Sequence, residues 1–350
     1  MMDRSVGKGP LRLWLGRLVK LAAGLFVALH LYAVALIFLP VPGTILMAQR
    51  AAGGETIRRD MTPFEDISPY LVSAVIAAED TRFCEHDGID PEAIEKAIDE
   101  YQRGKKVRGA STITQQTAKN VFFWNGGGAP RKAGDMWMAT FIDHAWGKRR
   151  VMEVYLNVAE WGDGIFGAEA AAQARFGKSA AKLTEREAAL LAAVLPSPNK
   201  WRVDPPGPYV SKRAGTLQAR MRVVRNQGLD ACVFGEARPA PLPPVKGAPT
   251  PPPLEVMPDL PPEPEPLPDV TGPESEVGTD DPLNDVLDAA DESFSQPAPE
   301  VTEEPEPFGE PDLSPEPEVQ APGETTGPVD LRPRNDLGVE PEPSADDPPE

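Results

Sequence analysis

The first strong pattern along the chain is an apolar run near its N-terminus. Residues 21–39 contain only two polar side chains, His30 and Tyr32, and one small break at Gly24. A run of nineteen such residues is long enough to cross the hydrocarbon core of a membrane as a helix. The pattern therefore predicts one membrane-spanning helix over residues 21–39.

After a linker with proline and glycine at residues 40–55, the apolar positions follow helical spacing as far as residue 236. Capping signals mark several helix starts, such as Ser68-Pro69, Asp90-Pro91 and the box from Thr184 to Glu187. The predicted helices cover residues 69–78, 91–103, 112–123, 133–161, 184–196 and 209–227. No segment alternates like a β-strand, so the pattern predicts an all-α domain over residues 56–236.

Composition separates the last third of the chain from the rest. Residues 237–350 contain 30 of the 42 prolines and 29 of the 54 acidic residues, but only four basic ones. Their net charge is −25, which leaves +6 for residues 1–236 and sums to the −19 of the whole chain. Such a segment cannot bury enough apolar surface to fold. We expect a disordered tail, dispensable for chemistry, that acts as a spacer or binds other proteins.

The charges around the apolar run predict its orientation. Five basic residues precede it against the single Asp3, and no charge follows until Arg50. This bias places residues 1–20 in the cytoplasm and the helical domain outside. A cleaved signal peptide is the alternative, but its apolar region is usually ~7–15 residues long and ends at a small-residue cleavage site. We therefore expect an uncleaved, single-pass anchor.

Cysteine and histidine offer little chemistry. Cys84 and Cys232 would lie in an oxidising compartment, where a disulfide is possible. They are far apart in the chain, which does not favour a bridge, and the sequence leaves their pairing open. The three histidines share no ligand spacing, so the sequence predicts no protein zinc site.

Three polar clusters in the domain could carry chemistry. Glu79 follows an apolar run, where desolvation would raise the pKa of its carboxyl towards the range useful for proton transfer. Residues 109–120 combine hydroxyls and amides with Lys119, which suits sugar hydroxyls and phosphate. A basic pair, Arg131 and Lys132, opens a helix that also carries Asp135, and a helix start favours a pyrophosphate. Each cluster alone is more often an ordinary solvated surface or a helix cap.

The order and spacing of these clusters resemble the family-51 glycosyltransferases, the domain of bifunctional penicillin-binding proteins and of monofunctional peptidoglycan transglycosylases. Residues 79–88 resemble the motif E-D-x-x-F-x-x-H-x-G, and residues 109–116 resemble G-x-S-T-I-T-Q-Q. Residues 131–135 are similar to R-K-x-x-E, and residues 148–157 to K-x-x-x-x-E-x-Y-L-N. Two later segments, 167–178 and 183–198, complete six matches in order over residues 67–201.

The resemblance implies a lysozyme-like helical fold and the polymerisation of lipid II into glycan strands at the bacterial inner membrane. Glu79 would be the catalytic base and Asp135 a second carboxylate, although the family has glutamate at that position. Substrate-binding positions carried over from the motifs are Ser111, Thr112, Gln115, Gln116, Lys119, Arg131 and Lys132. Mg²⁺ or another divalent cation would assist at the pyrophosphate without a dedicated protein site. The expected partners are lipid II, the lipid-linked strand and the membrane, with no nucleic acid.

Three other classes of protein share some of these sequence features. A lytic transglycosylase would use one glutamate on a similar fold, but would not need Lys119, Arg131 and Lys132. A bifunctional penicillin-binding protein needs a transpeptidase, and its S-x-x-K and S-x-N elements match here only at residues 179–182 and 197–199, with no K-T-G after them. A non-catalytic scaffold would use the tail to recruit partners, including cell-wall or division proteins, but the tail has no specific motif.

Overall fold

The computed structural model describes residues 10–104 and 110–242, and their architecture is helical, as predicted. The predicted tail falls almost wholly outside these residues. The ten α-helices among them are α1 Pro10–Ala35, α2 Ile45–Ala52, α3 Pro69–Glu79, α4 Pro91–Gln102, α5 Ile113–Phe122, α6 Gly128–Val158, α7 Ala168–Phe176, α8 Glu185–Val194, α9 Pro208–Gln227 and α10 Ala231–Phe234. All six predicted helices are present, with ends that differ by a few residues.

Helix α1 contains one stretch long and apolar enough to cross a membrane, Trp14–Ala35. It begins earlier and ends earlier than the predicted span of residues 21–39. Two side chains of α6 hold the C-terminal end of α1. The Arg150 guanidinium donates to the carbonyls of Leu36 (3.0 Å) and Leu39 (2.7 Å), just after the helix. The Trp146 indole donates to the Ala33 carbonyl at 2.8 Å. These long-range contacts satisfy carbonyls that the last turn of a helix leaves open, and they join α1 to α6.

The predicted linker at residues 40–55 contains a helix, and the domain contains a small sheet that the pattern did not predict. Thr44 caps α2, accepting from the Met47 amide at 3.2 Å. Three strands, β1 Arg58–Arg59, β2 Glu160–Gly162 and β3 Ile165–Phe166, lie in the order β1-β3-β2. Strand β1 is parallel to β3, and β2 is antiparallel to it. Strands of two or three residues are too short to show alternation, which explains why they were missed.

The core is built around α3 and α6. Helix α3 is apolar on every side, and Leu71 to Ala77 are all buried, because it packs against both α8 and α9. Helix α6 packs along α5 and is interrupted at Gly147, whose φ of 74° lies in the left-handed region. Only glycine reaches such a φ at little cost, so the predicted continuous helix from residue 133 to 161 bends there.

The sequence left the pairing of Cys84 and Cys232 open, and the structure answers that question. Their sulfurs form a disulfide, and the two Cα atoms lie 5.5 Å apart. The bridge ties the loop after α3 to a C-terminal segment (residues 228–242) that follows α9. This pairing could not be predicted from the spacing of the cysteines, because only the packing of α9 against α3 brings them together.

The C-terminal segment is also held by a buried carboxylate. Asp230 is fully buried and accepts from the Ser73 hydroxyl of α3 at 3.3 Å and from Arg238 at 2.8 Å. The Leu242 amide donates to Asn226 at 3.1 Å, and the Leu242 side chain is buried. Ordered packing therefore continues a few residues beyond the predicted domain end at residue 236.

Candidate active site

Helix α3 delivers Glu79 to a partly buried position, with the Oε1 atom of its carboxylate buried. The helix begins with Pro69 after Ser68, whose hydroxyl accepts from the Tyr70 amide at 3.3 Å. It ends because Asp80 leaves helical geometry, with φ −161° and ψ 79°. Glu79 is thus the last residue of a helix whose other side chains lie in the core. Its position follows from the apolar run that the sequence shows.

The two oxygens of the Glu79 carboxylate have different surroundings. Oε2 accepts a hydrogen bond from the Gln116 amide at 3.0 Å. Oε1 is buried and has no hydrogen-bond partner among the residues that the structure describes. Burial raises the pKa of the Glu79 carboxyl, while the bond from Gln116 opposes that rise. One oxygen is therefore anchored by Gln116, and the other has unused hydrogen-bonding capacity among the described residues.

Two further groups act on Glu79, and the motif analysis assigned a role to neither. The charge of Arg213, on α9, lowers the pKa of Glu79 and opposes the effect of burial. The Tyr155 hydroxyl donates to the Gln116 carbonyl oxygen at 3.2 Å. Burial raises the pKa of Tyr155 well above its ordinary value, and the charges of Glu79 and Asp80 add to that rise. Tyr155 thus stays protonated and fixes the orientation of Gln116, whose amide nitrogen then faces Glu79.

Asp80 joins the loop after α3 to the start of α5. Its two carboxylate oxygens each lie 3.1 Å from His86 Nε2, and one of them accepts from the Ile113 amide at 3.0 Å. A carboxylate at the start of a helix satisfies one of the backbone amides that have no partner within the helix, and its negative charge interacts favourably with the helix dipole. Arg82 instead forms ion pairs with Glu85 and Glu92. Asp80 therefore shapes the site, whereas Arg82 bonds to acidic residues outside it.

Gly88 closes the same loop against α6. Its φ is +87°, and a Cβ there would come within 2.7 Å of the Ala139 carbonyl oxygen. Its own carbonyl accepts from the Thr112 hydroxyl at 2.6 Å. Only glycine fits both the backbone conformation and the close approach. The motif glycine is thus needed to pack the loop carrying Asp80 and His86 onto α5 and α6.

The predicted polar cluster on α5 divides into two kinds of residue. Thr112 and Gln115 form a capping box, with bonds of 3.1 Å and 2.9 Å, and they fix the start of the helix. Gln116 is the member that contacts Glu79. Lys119 lies one turn further along α5 and is 9% exposed, so its charge is largely withdrawn from bulk solvent.

The start of α6 carries the predicted cations. The Lys132 ammonium donates to the Ser111 hydroxyl at 2.9 Å, which joins α6 to the residues before α5. Arg131 forms an ion pair with Asp135, one helical turn later, and both side chains are 2% exposed. Asp135 therefore holds Arg131 in place. Its side chain is one methylene shorter than the glutamate of the family motif, but it still reaches Arg131.

Asp143 makes a second set of contacts on α6. It accepts from the Thr114 hydroxyl of α5 at 2.9 Å and from Lys148 at 2.8 Å.

Three of the contacts that the structure makes join predicted residues: Glu79 with Gln116, Ser111 with Lys132, and Arg131 with Asp135. Arg213 lies outside every motif, so no signal in the sequence points to it. Tyr155 lies within the motif at residues 148–157, but the motif alone does not indicate its contact with Gln116. Among residues 10–104 and 110–242, no group of three or more His, Cys, Asp or Glu side chains is placed to hold a metal ion.

Comparison with known proteins gives consistent matches. The sequence profile of a family described as "Transglycosylase" matches residues 46–227. A Rhodospirillum centenum protein named "Biosynthetic peptidoglycan transglycosylase" is 50% identical over 224 residues, which cover 64% of this chain and 97% of the relative. A Caulobacter vibrioides protein of the same name is 49% identical over 232 residues, 66% of this chain and 100% of the relative. About a third of this chain thus has no counterpart in these relatives.

Proposed function

Because the chain belongs to the transglycosylase family and is a peptidoglycan glycosyltransferase, we propose that it polymerises lipid II into linear glycan strands. The donor is the lipid-linked strand, and its terminal MurNAc is transferred to the GlcNAc 4-hydroxyl of an incoming lipid II. Undecaprenyl pyrophosphate leaves, and the anomeric carbon inverts from α to β. The observation that supports this most directly is the asymmetric surroundings of the Glu79 carboxylate.

Glu79 acts as the general base. Oε1, buried and without a protein partner in the described part of the chain, accepts the proton of the acceptor hydroxyl as its oxygen bonds to the anomeric carbon. The bond from that carbon to the pyrophosphate oxygen breaks, and the leaving group takes the electron pair. Gln116 holds Oε2 at 3.0 Å and so keeps the carboxylate in one orientation, which lowers the entropic cost of reaching the transition state.

Cations next to the leaving group stabilise the charge that develops on it. Lys119, Lys132 and Arg131 lie on α5 and α6, two helices that pack together. The pair with Asp135 fixes Arg131 in place, which gives the second carboxylate a positioning role in this reaction. We assign a divalent cation, when bound, to the pyrophosphate itself, where it would add to the same charge stabilisation.

The remaining motif residues arrange the site. Thr112 and Gln115 hold the start of α5, and Ser111 holds Lys132. Sugar hydroxyls would contact Ser111 and Gln116. These residues would affect substrate binding and geometry more than the chemical step.

The anchor places this chemistry beside its lipid-linked substrate. Residues 14–35 of α1 are long and apolar enough to cross a membrane, and the basic residues before them place the N-terminus in the cytoplasm. The catalytic domain would then lie in the periplasm, at the outer surface of the bacterial inner membrane. The Cys84–Cys232 disulfide suits that oxidising compartment.

The test is incubation of the full-length protein, in detergent, with labelled lipid II and Mg²⁺, followed by separation of products by size. Wild type should give a ladder of polymer that muramidase digests. Glu79→Gln should lower the rate by ~10²–10⁴-fold, as loss of a general base does. Glu85→Gln is the matched control, since the Glu85 carboxylate is half exposed and pairs with Arg82.

Two outcomes would contradict the proposal. Near-normal polymerisation by Glu79→Gln would remove Glu79 as the base. Failure of wild type to extend lipid II, together with release of soluble muropeptides from purified sacculi, would show a lytic transglycosylase in which Glu79 is a general acid.

A further inference from the structure

A groove lies where the chain enters α9. It has a volume of about 440 Å³, within the ~300–1,000 Å³ usual for small-ligand sites. Trp201 and Tyr209 line it, with their ring centroids 4.7 Å apart at 55°. Their neighbours Val203 and Val210 are buried and fix the backbone beneath the two rings. The aromatic wall is therefore anchored to the core rather than being a pair of loose surface side chains.

Helix α9 joins the groove to Arg213, the cation that acts on Glu79. The C-terminal end of α9 lies near the start of α3, since Asp230 contacts both Arg225 and Ser73. Its N-terminal end accordingly lies near the end of α3, where Arg213 acts on Glu79. Tyr209 precedes Arg213 by four residues, so the two share one side of α9 about 6 Å apart along its axis. The groove thus lies about one helical turn from the cation that acts on the base.

The aromatic and basic side chains that line the groove are suited to binding a glycan strand. Flat aromatic rings offer apolar area with polar edges, which complements the C–H faces of pyranose rings and their hydroxyl rims. Lys200 and Arg202 also line the groove, and their charge complements the carboxylates of the peptide stems on a glycan strand. The sugars that react must lie at Glu79, so a saccharide in this groove would be one that is already joined.

We propose that Trp201 and Tyr209 form a saccharide subsite that holds the nascent glycan strand during successive additions. This inference rests on the proposed polymerisation of lipid II. A strand held by contacts away from the reacting carbon dissociates more slowly between additions, so the subsite would increase the number of units added before release.

The first experiment measures binding without turnover. Full-length Glu79→Gln protein in detergent is titrated calorimetrically with a lipid-free tetrasaccharide-peptide prepared from sacculi by muramidase. Adding Trp201→Leu, which keeps apolar volume but removes the ring, should weaken binding at least fivefold, whereas Trp201→Phe should stay within twofold. Trp124→Leu, at a half-exposed tryptophan outside the groove, is the matched control and should not change binding.

A second pair of variants separates the ring contacts from the charges. Lys200→Gln with Arg202→Gln should weaken binding of the tetrasaccharide-peptide, but not of the same sugar after an amidase has removed the peptide. Tyr209→Leu supplies an independent ring deletion, and the thermal unfolding of every variant is compared with that of its parent. Binding by Trp201→Leu and Tyr209→Leu that equals the parent, with both variants folded, would overturn the subsite.

Strand length then links binding to the reaction. With Glu79 intact, Trp201→Leu should shorten the polymer made from lipid II relative to wild type and to Trp124→Leu. If wild type makes no polymer, the proposed function fails, whatever the binding data show. If wild type makes polymer and Trp201→Leu gives strands of the same length, the subsite alone is refuted.

Discussion

The Cys84–Cys232 disulfide leads to a quantitative prediction about stability. We consider the double variant Cys84→Ser, Cys232→Ser, which removes the covalent bond and leaves two small polar side chains. The bond closes a loop with a sequence separation of 148 residues, which contains all the proposed catalytic residues except Glu79. Its loss therefore releases the unfolded chain from a constraint over most of the domain.

The size of the effect follows from the loop length. In the chain-entropy treatment, a loop of that length corresponds to about 5 kcal/mol at 25 °C. Residual structure in the unfolded chain reduces this figure, and native disulfides typically contribute about 2–5 kcal/mol. In a domain of this size each kcal/mol changes Tm by roughly 2–4 °C, so we expect a fall of about 5–20 °C.

Thermal unfolding of the full-length protein in detergent, followed by tryptophan fluorescence, measures this change. A reductant should lower the Tm of wild type towards that of the double variant and leave the double variant unchanged. The reasoning would be refuted if the double variant unfolded within about 2 °C of wild type. It would equally be refuted if reductant lowered the Tm of both proteins alike, since the effect would then not come from this bond.

Two further predictions concern the base and the chain end. The rate should rise with pH as Glu79 loses its proton, and Arg213→Gln should move that rise to higher pH, because loss of the cation raises the pKa of Glu79; Lys212→Gln, an exposed neighbour, should leave the pH–rate profile unchanged. A chain ending after residue 242 should polymerise within about twofold of wild type, whereas one ending after residue 227 should unfold at lower temperature, since it lacks Asp230 and the disulfide; equal Tm values for the two would contradict this.

Local signals were sufficient to predict the helices that form the site. The capping boxes at Thr112 and Thr184 are present with both of their reciprocal bonds. Such boxes are recognisable because all their partners lie within four residues. The same holds for the prolines that start α3 and α4. The position of Glu79 at the end of a buried helix could therefore be predicted from the sequence.

Contacts between distant residues could not be predicted in the same way. Arg213 lies 134 residues after Glu79, and only the packing of α9 on α3 brings its charge to the carboxylate. Arg82 is only three residues after Glu79 in the sequence, yet in the structure it forms ion pairs with Glu85 and Glu92. Which charged side chains form ion pairs depends on their distances in the folded structure. Their separation along the sequence does not give those distances.

The basicity of Glu79 results from opposing effects that the fold keeps in balance. Burial at the end of an apolar helix raises the pKa of Glu79, and the negative end of the α3 dipole acts in the same direction. The Gln116 bond and the Arg213 charge act against both. Gln116 and Arg213 therefore limit the rise in the pKa of Glu79, and a smaller rise keeps more of the carboxylate ionised. In the proposed reaction only the ionised form can accept the proton of the sugar hydroxyl, so both residues would support the base as the helix does.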